Sequence, residues 1–146
     1  MVDVRLLGPG DEALVERLVR EGADFDLDGR DEDDTPTDLV AYLADPAVRH
    51  WVAEADGEPV GHLHCTIIRL SYGSGRELLL YEIGVREAWR RRGVGRALVD
   101  AMDAWMTDEG IAEVWVLADN PGARDFYAAV GFTVDPDQPT YMTRRT

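Results

Sequence analysis

The sequence predicts an α+β fold, with one domain over residues 1–146 built on a mixed sheet that has helices on both faces and one parallel crossover at its centre. Two observations lead to this class. Segments with helical periodicity and segments with strand patterns follow one another in the order βααβββαβαβ. A length of 146 residues, with no internal repeat and no linker, is that of one ordinary domain.

The first half of the chain predicts one strand, two short helices and a hairpin. A Gly-Pro-Gly turn separates the strand from the first helix, which Gly22 ends, and Thr37 caps the second helix before Pro46 stops it. The polar, acidic segment 23–36 is typical of a loop. The predicted bounds are 4–7 for the strand, 11–22 and 37–45 for the helices, and 48–55 and 60–70 for the hairpin strands.

The second half alternates strands and helices. Leu78–Val85 is mostly apolar, as expected of a central strand covered on both faces. From Gly93 to Gly110 apolar residues recur every three or four positions, which predicts a helix, and the segment from Pro121 to Gly131 predicts another. The remaining strands are predicted at 114–118 and, broken around Asp-Pro-Asp-Gln-Pro, at 132–142.

The net charge of −14 is unevenly distributed. Residues 1–60 hold 17 acidic residues against 5 arginines, whereas residues 61–146 hold 12 against 10. A strongly negative surface repels phosphate backbones, which argues against nucleic-acid binding. The single cysteine cannot form an intrachain disulfide, and no stretch reaches the ~18 apolar residues of a membrane span, so we expect a cytoplasmic protein without a membrane partner.

An arginine-rich segment forms a basic pole in this acidic chain, opposed only by Glu87: Arg86, Arg90, Arg91, Arg92 and Arg96. Its Arg-Arg-Arg-Gly-Val-Gly run at 90–95 lies between the apolar strand and the next helix. Glycines let a backbone approach a ligand, and arginines beside a helix N-terminus bind pyrophosphate. The alternative is a tight turn with a solvated basic face. Neither the Gly-x-Gly-x-x-Gly pattern nor the Gly-Lys-Ser/Thr ending of nucleotide-binding loops is present in it.

Two motifs resemble those of the GNAT superfamily of acetyl-CoA-dependent N-acetyltransferases. Arg90, Gly93 and Gly95 match its (Gln/Arg)xxGx(Gly/Ala) motif, and DNPGARDFYAAVGF at 119–132 looks like NxxAxxFYxxxGF. The resemblance implies a GNAT-type, mostly antiparallel sheet of six to seven strands, with acetyl-CoA as cosubstrate and no metal. It implies that the backbone of 83–85 holds the pantetheine arm and that 90–96 hold the pyrophosphate. The cofactor-binding residues implied are Ile83, Gly84, Val85, Arg90, Arg91, Arg92, Gly93, Val94, Gly95, Arg96, Asn120, Ala123 and Phe126.

Amide formation needs a neutral amine, a nearby thioester and a proton for the departing thiolate. Glu82 interrupts the apolar strand at the proposed donor site and is the candidate base, acting directly or through a water. The resemblance implies Tyr127 as the acid, because family members place this hydroxyl beside the CoA sulfur. Backbone N–H groups near Val85 would stabilise the oxyanion during direct transfer in a ternary complex. The alternatives are an exposed or arginine-paired Glu82 and a Tyr127 that only packs against Phe126.

Cys65 and two histidines are weaker candidates. No helix N-terminus or basic neighbour in sequence activates Cys65, so we expect it in the core. His62 and His64 lie two positions apart on one strand face, and with Glu82 they could mimic a metal or acid–base cluster. Because no third ligand follows at a fixed spacing, we predict no metal site and interpret them as lining of the acceptor pocket or as a polar sheet face.

A closer resemblance concerns the acceptor. LGPGD, YLADPAVRHWVAEADGEPVGHL and YEIGVREAWRRRGVGRAL are together similar to the class I aminoglycoside 3-N-acetyltransferases, in which we expect Asp where this chain has Glu82. A polyamino sugar is a compact polycation that the acidic first half would attract, although a merely solvated loop is the alternative. The predicted acceptor-binding residues are Asp24, Asp26, Asp28, Asp33, Asp34, Tyr81, Glu82, Asp119 and Asp135.

Other functions stay open at this point. The acceptor could instead be a polyamine, an amino acid or a peptide N-terminus. A different class is a non-catalytic acetyl-CoA-binding module that regulates a partner, which the presence of both Glu82 and Tyr127 disfavours. The resemblance also implies a homodimer.

Overall fold

The computed structural model describes residues 1–25 and 35–146, in which a five-stranded sheet carries helices on both faces. The strands are β1 (Asp3–Leu6), β2 (Val48–Ala55), β3 (Glu58–Arg69), β4 (Arg76–Val85) and β5 (Val114–Trp115), and the helices are α1 (Glu12–Arg20), α2 (Leu39–Ala44), α3 (Val94–Glu109) and α4 (Pro121–Ala129). Short 3₁₀ turns lie at Gly22–Phe25 and Glu87–Trp89. The strands lie in sequence order and pair antiparallel, except for the parallel pair β4–β5. The predicted α+β class is confirmed.

The ends of the helices follow from the residues beside them. Gly93 and Gly110 adopt left-handed backbone angles, with φ of 82° and 71°, and bracket α3. Asp38, and not the predicted Thr37, caps α2, because its carboxylate accepts the N–H of Ala41 at 3.1 Å. No helix in the described ranges combines the length and the apolar character that crossing a bilayer requires.

A β-bulge in β4 decides which of its side chains face which helices. His64 pairs with Glu82, but the next residue, Cys65, pairs with Leu80, so Tyr81 is an extra residue on β4. The bulge keeps four buried apolar side chains of β4 in one cluster: Leu78, Leu80, Ile83 and Val85. It thereby places Glu82 on the opposite face of the sheet.

Each face of the sheet has its own core. On one face α3 and α4 cover a cluster that includes Leu63, Leu80, Leu98 and Met102, each with no exposed surface. The other face, covered by α1 and α2, is centred on Val15, Leu18, Phe25, Leu43 and Val52. We call the second one the α1/α2 face.

The C-terminal segment differs from the prediction. Residues 132–142 form no strand, so the sheet of the described residues has five strands and not six or seven. Pro136 and Pro139 have no N–H to donate to a neighbouring strand, and Asp135 accepts the N–H of Asp137 at 2.9 Å, which turns the chain locally. The strand predicted at 114–118 is also shorter, since β5 ends at Trp115.

Candidate active site

A cleft of about 620 Å³ opens at the carboxyl end of β4, between the start of α3 and the body of α4. Six of the seven residues 90–96 line it, Arg92 being the exception. The full lining is Val85, Trp89, Arg90, Arg91, Gly93, Val94, Gly95, Arg96, Gly122, Phe126, Ala129 and Val130. The cleft therefore lies where the two sequence motifs meet.

The N-terminus of α3 ends at this cleft without a side-chain cap. Gly93 occupies the cap position, and no side chain there hydrogen-bonds the helix end. The N–H of Ala97 bonds to the carbonyl of Gly93 at 3.0 Å, so the N–H groups of Val94, Gly95 and Arg96 precede this first intrahelical bond. Such N–H groups carry the positive end of the helix dipole, and a phosphate group fits them.

Three arginines of the basic pole surround the same end of α3. Arg91 lines the cleft in a left-handed conformation, with φ of 63°, and is exposed. Arg92 is exposed too, with its guanidinium 5.1 Å from the centre of the Trp89 ring. Arg90 donates to the carbonyl of Val85 at 3.1 Å, which fixes the loop to the end of β4.

Arg86 faces the other side of the molecule. Its side chain is 15% exposed and forms ion pairs with Glu21 at 3.1 Å and Asp24 at 2.9 Å, and its guanidinium lies 4.3 Å from the centre of the Phe25 ring. Burial raises the pKa of Glu21, but the hydrogen bonds from Arg17 and Arg86 outweigh it, so this pKa lies below its usual 4.5. Asp24, a predicted acceptor ligand, is therefore paired with Arg86.

The second motif forms α4 and packs against the first. Asn120 caps α4, with its Oδ1 accepting the N–H of Ala123 at 2.8 Å, and Ala123 is 1% exposed in the core. Phe126 lines the cleft, and a Cβ on Gly95 would lie 2.7 Å from its ring. The structure thus gives Gly95 a packing reason: only a residue without a side chain admits the Phe126 ring at this distance.

The pairing of β4 with β5 ends before the carboxyl end of β4. Their parallel pairing covers two residue pairs, Leu78 with Val114 and Leu79 with Trp115. β4 continues beyond this pairing, and residues 83–85, which the resemblance implies hold the pantetheine arm, lie there. We call the region beside β4 beyond the end of this pairing the wedge.

The two predicted catalytic side chains lie on opposite faces of the sheet. Tyr127 is 2% exposed in the cluster under α3 and α4, with ring centres 5.6 Å from Phe126 and 5.4 Å from Phe132. Glu82 is half-buried on the α1/α2 face, and Tyr81 beside it is 66% exposed. Reacting groups between the two would have to occupy the wedge.

Gly84 is tightly enclosed on the α1/α2 face. A Cβ on it would overlap the carbonyl oxygen of Phe25, and it would lie 2.8 Å from the Cβ of Phe25 and 3.1 Å from Nε2 of His62. Phe25 itself is 2% exposed. The absence of a side chain at Gly84 therefore allows the turn that carries Phe25 to lie directly on β4.

Three histidines gather on the α1/α2 face. His62 and His64 point to this face of β3 as predicted, and His50 on β2 joins them, with its ring stacked on His64 at 5.3 Å. Nε2 of His50 lies 2.9 Å from Nδ1 of His62, and its Nδ1 lies 2.9 Å from the hydroxyl of Tyr42. His50 and Tyr42 are not among the residues that the sequence predicts for this site. The signal for His50 was the hairpin register, which places it opposite His64.

The remaining predicted acceptor residues are dispersed. Asp119 and Asp135 are exposed and lie in the loops before and after α4. Asp26, Asp28, Asp33 and Asp34 lie outside the described residues. Of the predicted acceptor set, the structure therefore brings together Tyr81 and Glu82 on β4.

Cys65 is buried in the core, as expected, with its sulfur 3.7 Å from that of Met102. Burial raises the pKa of its thiol far above the usual value of 9.0, which leaves it unsuited to act as a nucleophile. In the described part of the chain, no group of three or more His, Cys, Asp or Glu side chains is arranged to hold a metal ion.

Comparisons with known proteins agree on one family. A model of the acetyltransferase (GNAT) family matches residues 14–132. The mycothiol acetyltransferase of Salinispora tropica is 37% identical over 114 residues, which cover 76% of this chain and 34% of that protein. The aminoglycoside N(6′)-acetyltransferase type 1 of Stenotrophomonas maltophilia is 37% identical over 89 residues, 58% of each chain. An uncharacterized N-acetyltransferase of Methanocaldococcus jannaschii is 36% identical over 85 residues, 56% of this chain and 38% of that one. The chain spans less than two thirds of the length of each of these relatives.

Solved structures share the fold. An aminoglycoside acetyltransferase from an uncultured soil metagenomic sample, in complex with sisomicin, has a TM-score of 0.86 at 22% identity, covering 99% of this chain and 96% of that one. An aminoglycoside N-acetyltransferase of the 6′ type in complex with CoA has a TM-score of 0.74 at 21% identity, covering 99% and 100%. The aminoglycoside enzymes among these comparisons are of the 6′ type or are named without a position, and not specifically of the 3-N class.

Proposed function

The chain belongs to the acetyltransferase (GNAT) family, and on this premise we propose that it transfers the acetyl group of acetyl-CoA to a primary amine of an aminoglycoside. The observation that carries the donor half of this proposal is the uncapped N-terminus of α3 at a cleft lined by Arg90, Arg91 and Arg96. Three N–H groups and nearby guanidinium groups are the chemistry that binds a pyrophosphate. The pantetheine arm would run along residues 83–85 into the wedge.

The wedge supports direct transfer in a ternary complex. With the thioester there, Glu82 approaches the amine from the α1/α2 face, and Tyr127 approaches the sulfur from the side of α3 and α4. The neutral amine attacks the thioester carbonyl carbon, and its nitrogen gives one proton to Glu82, directly or through one water. The carbon–sulfur bond then breaks, and the departing thiolate takes the proton of the Tyr127 hydroxyl. The proton on Glu82 then returns to the tyrosinate through solvent, which restores both residues. A backbone N–H near Val85 would stabilise the oxyanion.

Charge supports a polycationic acceptor. Residues 1–60, which carry the acidic surplus, include the helices of the α1/α2 face on which Glu82 lies. Tyr81 adds an exposed aromatic ring next to Glu82, and Asp119 and Asp135 add exposed carboxylates. Such a field would draw in an amino sugar with several ammonium groups. From the resemblance to class I enzymes, we propose the 3-amino group as the position acetylated.

The catalytic assignment is tested by thiol release from acetyl-CoA in the presence of an aminoglycoside. Glu82→Gln and Tyr127→Phe should each lower kcat by roughly 100-fold or more, the usual contribution of a general base or acid. Tyr72→Phe is the matched control, because Tyr72 is 73% exposed in the turn before β4. Thermal melts show whether a loss of rate reflects unfolding. Wild-type rates in both catalytic variants would refute the assignment.

The acceptor is tested with a panel of gentamicin-like aminoglycosides, spermidine and peptides with free N-termini. Turnover with the aminoglycosides and a product acetylated at the 3-amino group, located by NMR, is expected. A product acetylated at the 6′-amino group would refute the proposed 3-amino position but agree with an aminoglycoside acceptor. Turnover with spermidine or peptides alone would replace the acceptor class. Tight CoA binding without any turnover would point to a non-catalytic binding module.

A further inference from the structure

Three side chains from three elements form a hydrogen-bonded chain on the α1/α2 face. The hydroxyl of Tyr42 on α2 lies 2.9 Å from Nδ1 of His50 on β2, and Nε2 of His50 lies 2.9 Å from Nδ1 of His62 on β3. His50 and His62 are buried, with 4% and 2% of their surface exposed. The ring of Phe25 closes the far end, edge-on to His62 at 5.3 Å.

The two bonds couple the proton positions of the rings. Buried imidazoles are favoured in the neutral form, with one N–H donor and one acceptor nitrogen. When the Tyr42 hydroxyl donates to Nδ1 of His50, the Nε2–H of His50 donates to Nδ1 of His62, and His62 carries its hydrogen on Nε2. A phenol is a better donor than a neutral imidazole, and an imidazole nitrogen is a better acceptor than a phenol oxygen. This order is therefore the favoured one.

The last donor of this order, the Nε2–H of His62, lies on the same sheet face as Glu82. Nε2 of His62 is 3.1 Å from the position that a Cβ on Gly84 would take. In the register of β3 and β4, His62 pairs with Gly84 and His64 pairs with Glu82, so Glu82 is the diagonal neighbour of His62 on the same face. Diagonal neighbours lie about 7–8 Å apart, within reach of a long side chain. Gly84 places no side chain between them, and the carbonyl oxygen of Phe25 lies against the same position of Gly84.

We propose that Tyr42, His50 and His62 are positioning residues that hold the carboxylate of Glu82 ready to take the proton of the amine. His62 donates its Nε2–H to that carboxylate, and Tyr42 fixes the tautomer from the other end of the chain. The inference rests on the proposed role of Glu82 as the base. It explains why a half-buried carboxyl group next to an apolar strand has two buried histidines beside it.

Other charged and titratable groups face this chain. His64 and Tyr81 lie next to Glu82, with their ring centres 5.5 Å apart. On the turn that carries Phe25, Asp24 is paired with Arg86. The variants of Tyr42 and His62 used as tests leave all of these residues unchanged. A shift in a pH profile therefore reports on the hydrogen bonds that join Tyr42, His50 and His62.

The first test is the pH dependence of kcat/KM for an aminoglycoside. Tyr42→Phe should lower kcat about three- to tenfold and move the acid limb upward by roughly 0.5–1 pH unit, because a carboxylate that loses a donor is protonated more easily. KM for acetyl-CoA should not change. His62→Asn should have the same effect, whereas His62→Gln, whose amide nitrogen reaches the place of Nε2, should restore the acid limb. Tyr72→Phe is the control for the loss of an exposed hydroxyl.

The second test reads the tautomer without turnover. In ¹⁵N-histidine spectra of the full chain, the His62 signals should show hydrogen on Nε2, and in Tyr42→Phe the signals of both tautomers should appear. Hydrogen on Nδ1 of His62, or an unshifted acid limb in Tyr42→Phe and His62→Asn, would overturn the inference. If Glu82→Gln is inactive while these variants keep the wild-type pH profile, the positioning role of Tyr42, His50 and His62 is refuted and Glu82 is still the base. Wild-type activity in Glu82→Gln would refute the proposed base itself.

Discussion

Replacing Gly84 by alanine tests how closely the turn that carries Phe25 must lie on β4. The added Cβ would overlap the carbonyl oxygen of Phe25 and would lie 2.8 Å from its Cβ and 3.1 Å from Nε2 of His62. Since one of these neighbours is backbone, no rotation of a side chain relieves the overlap, and the whole turn must move. Overpacking of this kind costs about 1–3 kcal/mol. For a domain of this size we expect Tm to fall by roughly 3–10 °C.

The same displacement should weaken acceptor use, because Phe25 contacts both Arg86 and His62. Gly84→Ala should raise KM for the amine more than KM for acetyl-CoA. The assay combines thermal melts with initial rates at varied concentrations of each substrate. Gly8→Ala is the matched control, since a Cβ on Gly8 meets no atom within 4 Å. If Gly84→Ala melted and turned over like Gly8→Ala, the close approach of Phe25 would be wrong.

Three further predictions concern the donor site, a helix cap and pH. Arg91→Ala should raise KM for acetyl-CoA about tenfold. KM for an acetylated pantetheine should not change, because that donor has no pyrophosphate. Equal effects on both donors would contradict a role of Arg91 in binding the pyrophosphate. Asn120→Ala should lower the free energy of unfolding by about 1 kcal/mol in urea titrations, since α4 loses the hydrogen bond to the N–H of Ala123. Asn120→Asp should keep both this hydrogen bond and the wild-type stability. Equal losses of stability in the two variants would argue against the cap. Burial, and then the charge of Asp100, raise the pKa of Asp103 above its usual 3.8, so its ionised form destabilises the fold above the folded-state pKa. Asp103→Asn should therefore raise Tm at pH 7, with a gain that fades as the pH falls towards 3.8; a gain independent of pH would refute the electrostatic cause.

Local patterns in the sequence determine most of the fold. The strand predicted at 48–55 has the same bounds as β2, and the helix predicted from Gly93 to Gly110 differs from α3 by its two flanking glycines. Both segments have strong periodicity or clear stop signals. The segment 132–142 has neither, because two prolines and the acids between them outweigh its apolar residues. The residues of the two motifs that line the cleft could be predicted from sequence because each motif is contiguous.

Local sequence patterns do not predict contacts between distant segments of the chain. The pairing of Arg86 with Asp24 joins residues 62 positions apart, and nothing local shows that a basic pole and an acidic half will neutralise one another there. The chain of Tyr42, His50 and His62 likewise depends on α2 packing over the hairpin. These contacts follow from the register and the crossing of elements, which a single sequence specifies only through the whole fold.

The bulge at Tyr81 places Glu82 and the buried apolar residues of β4 on opposite faces of the sheet. In a regular strand, Glu82 would share a face with Leu78 and Leu80, which have no exposed surface under α3 and α4. A carboxyl group there would be buried among apolar side chains at a large cost in desolvation. The extra residue reverses the alternation, so Ile83 and Val85 continue the apolar face while Glu82 turns towards the histidines. In the proposed mechanism, the strand therefore supports the donor cleft from its apolar side and presents the base to the acceptor from the other, which regular alternation would not allow.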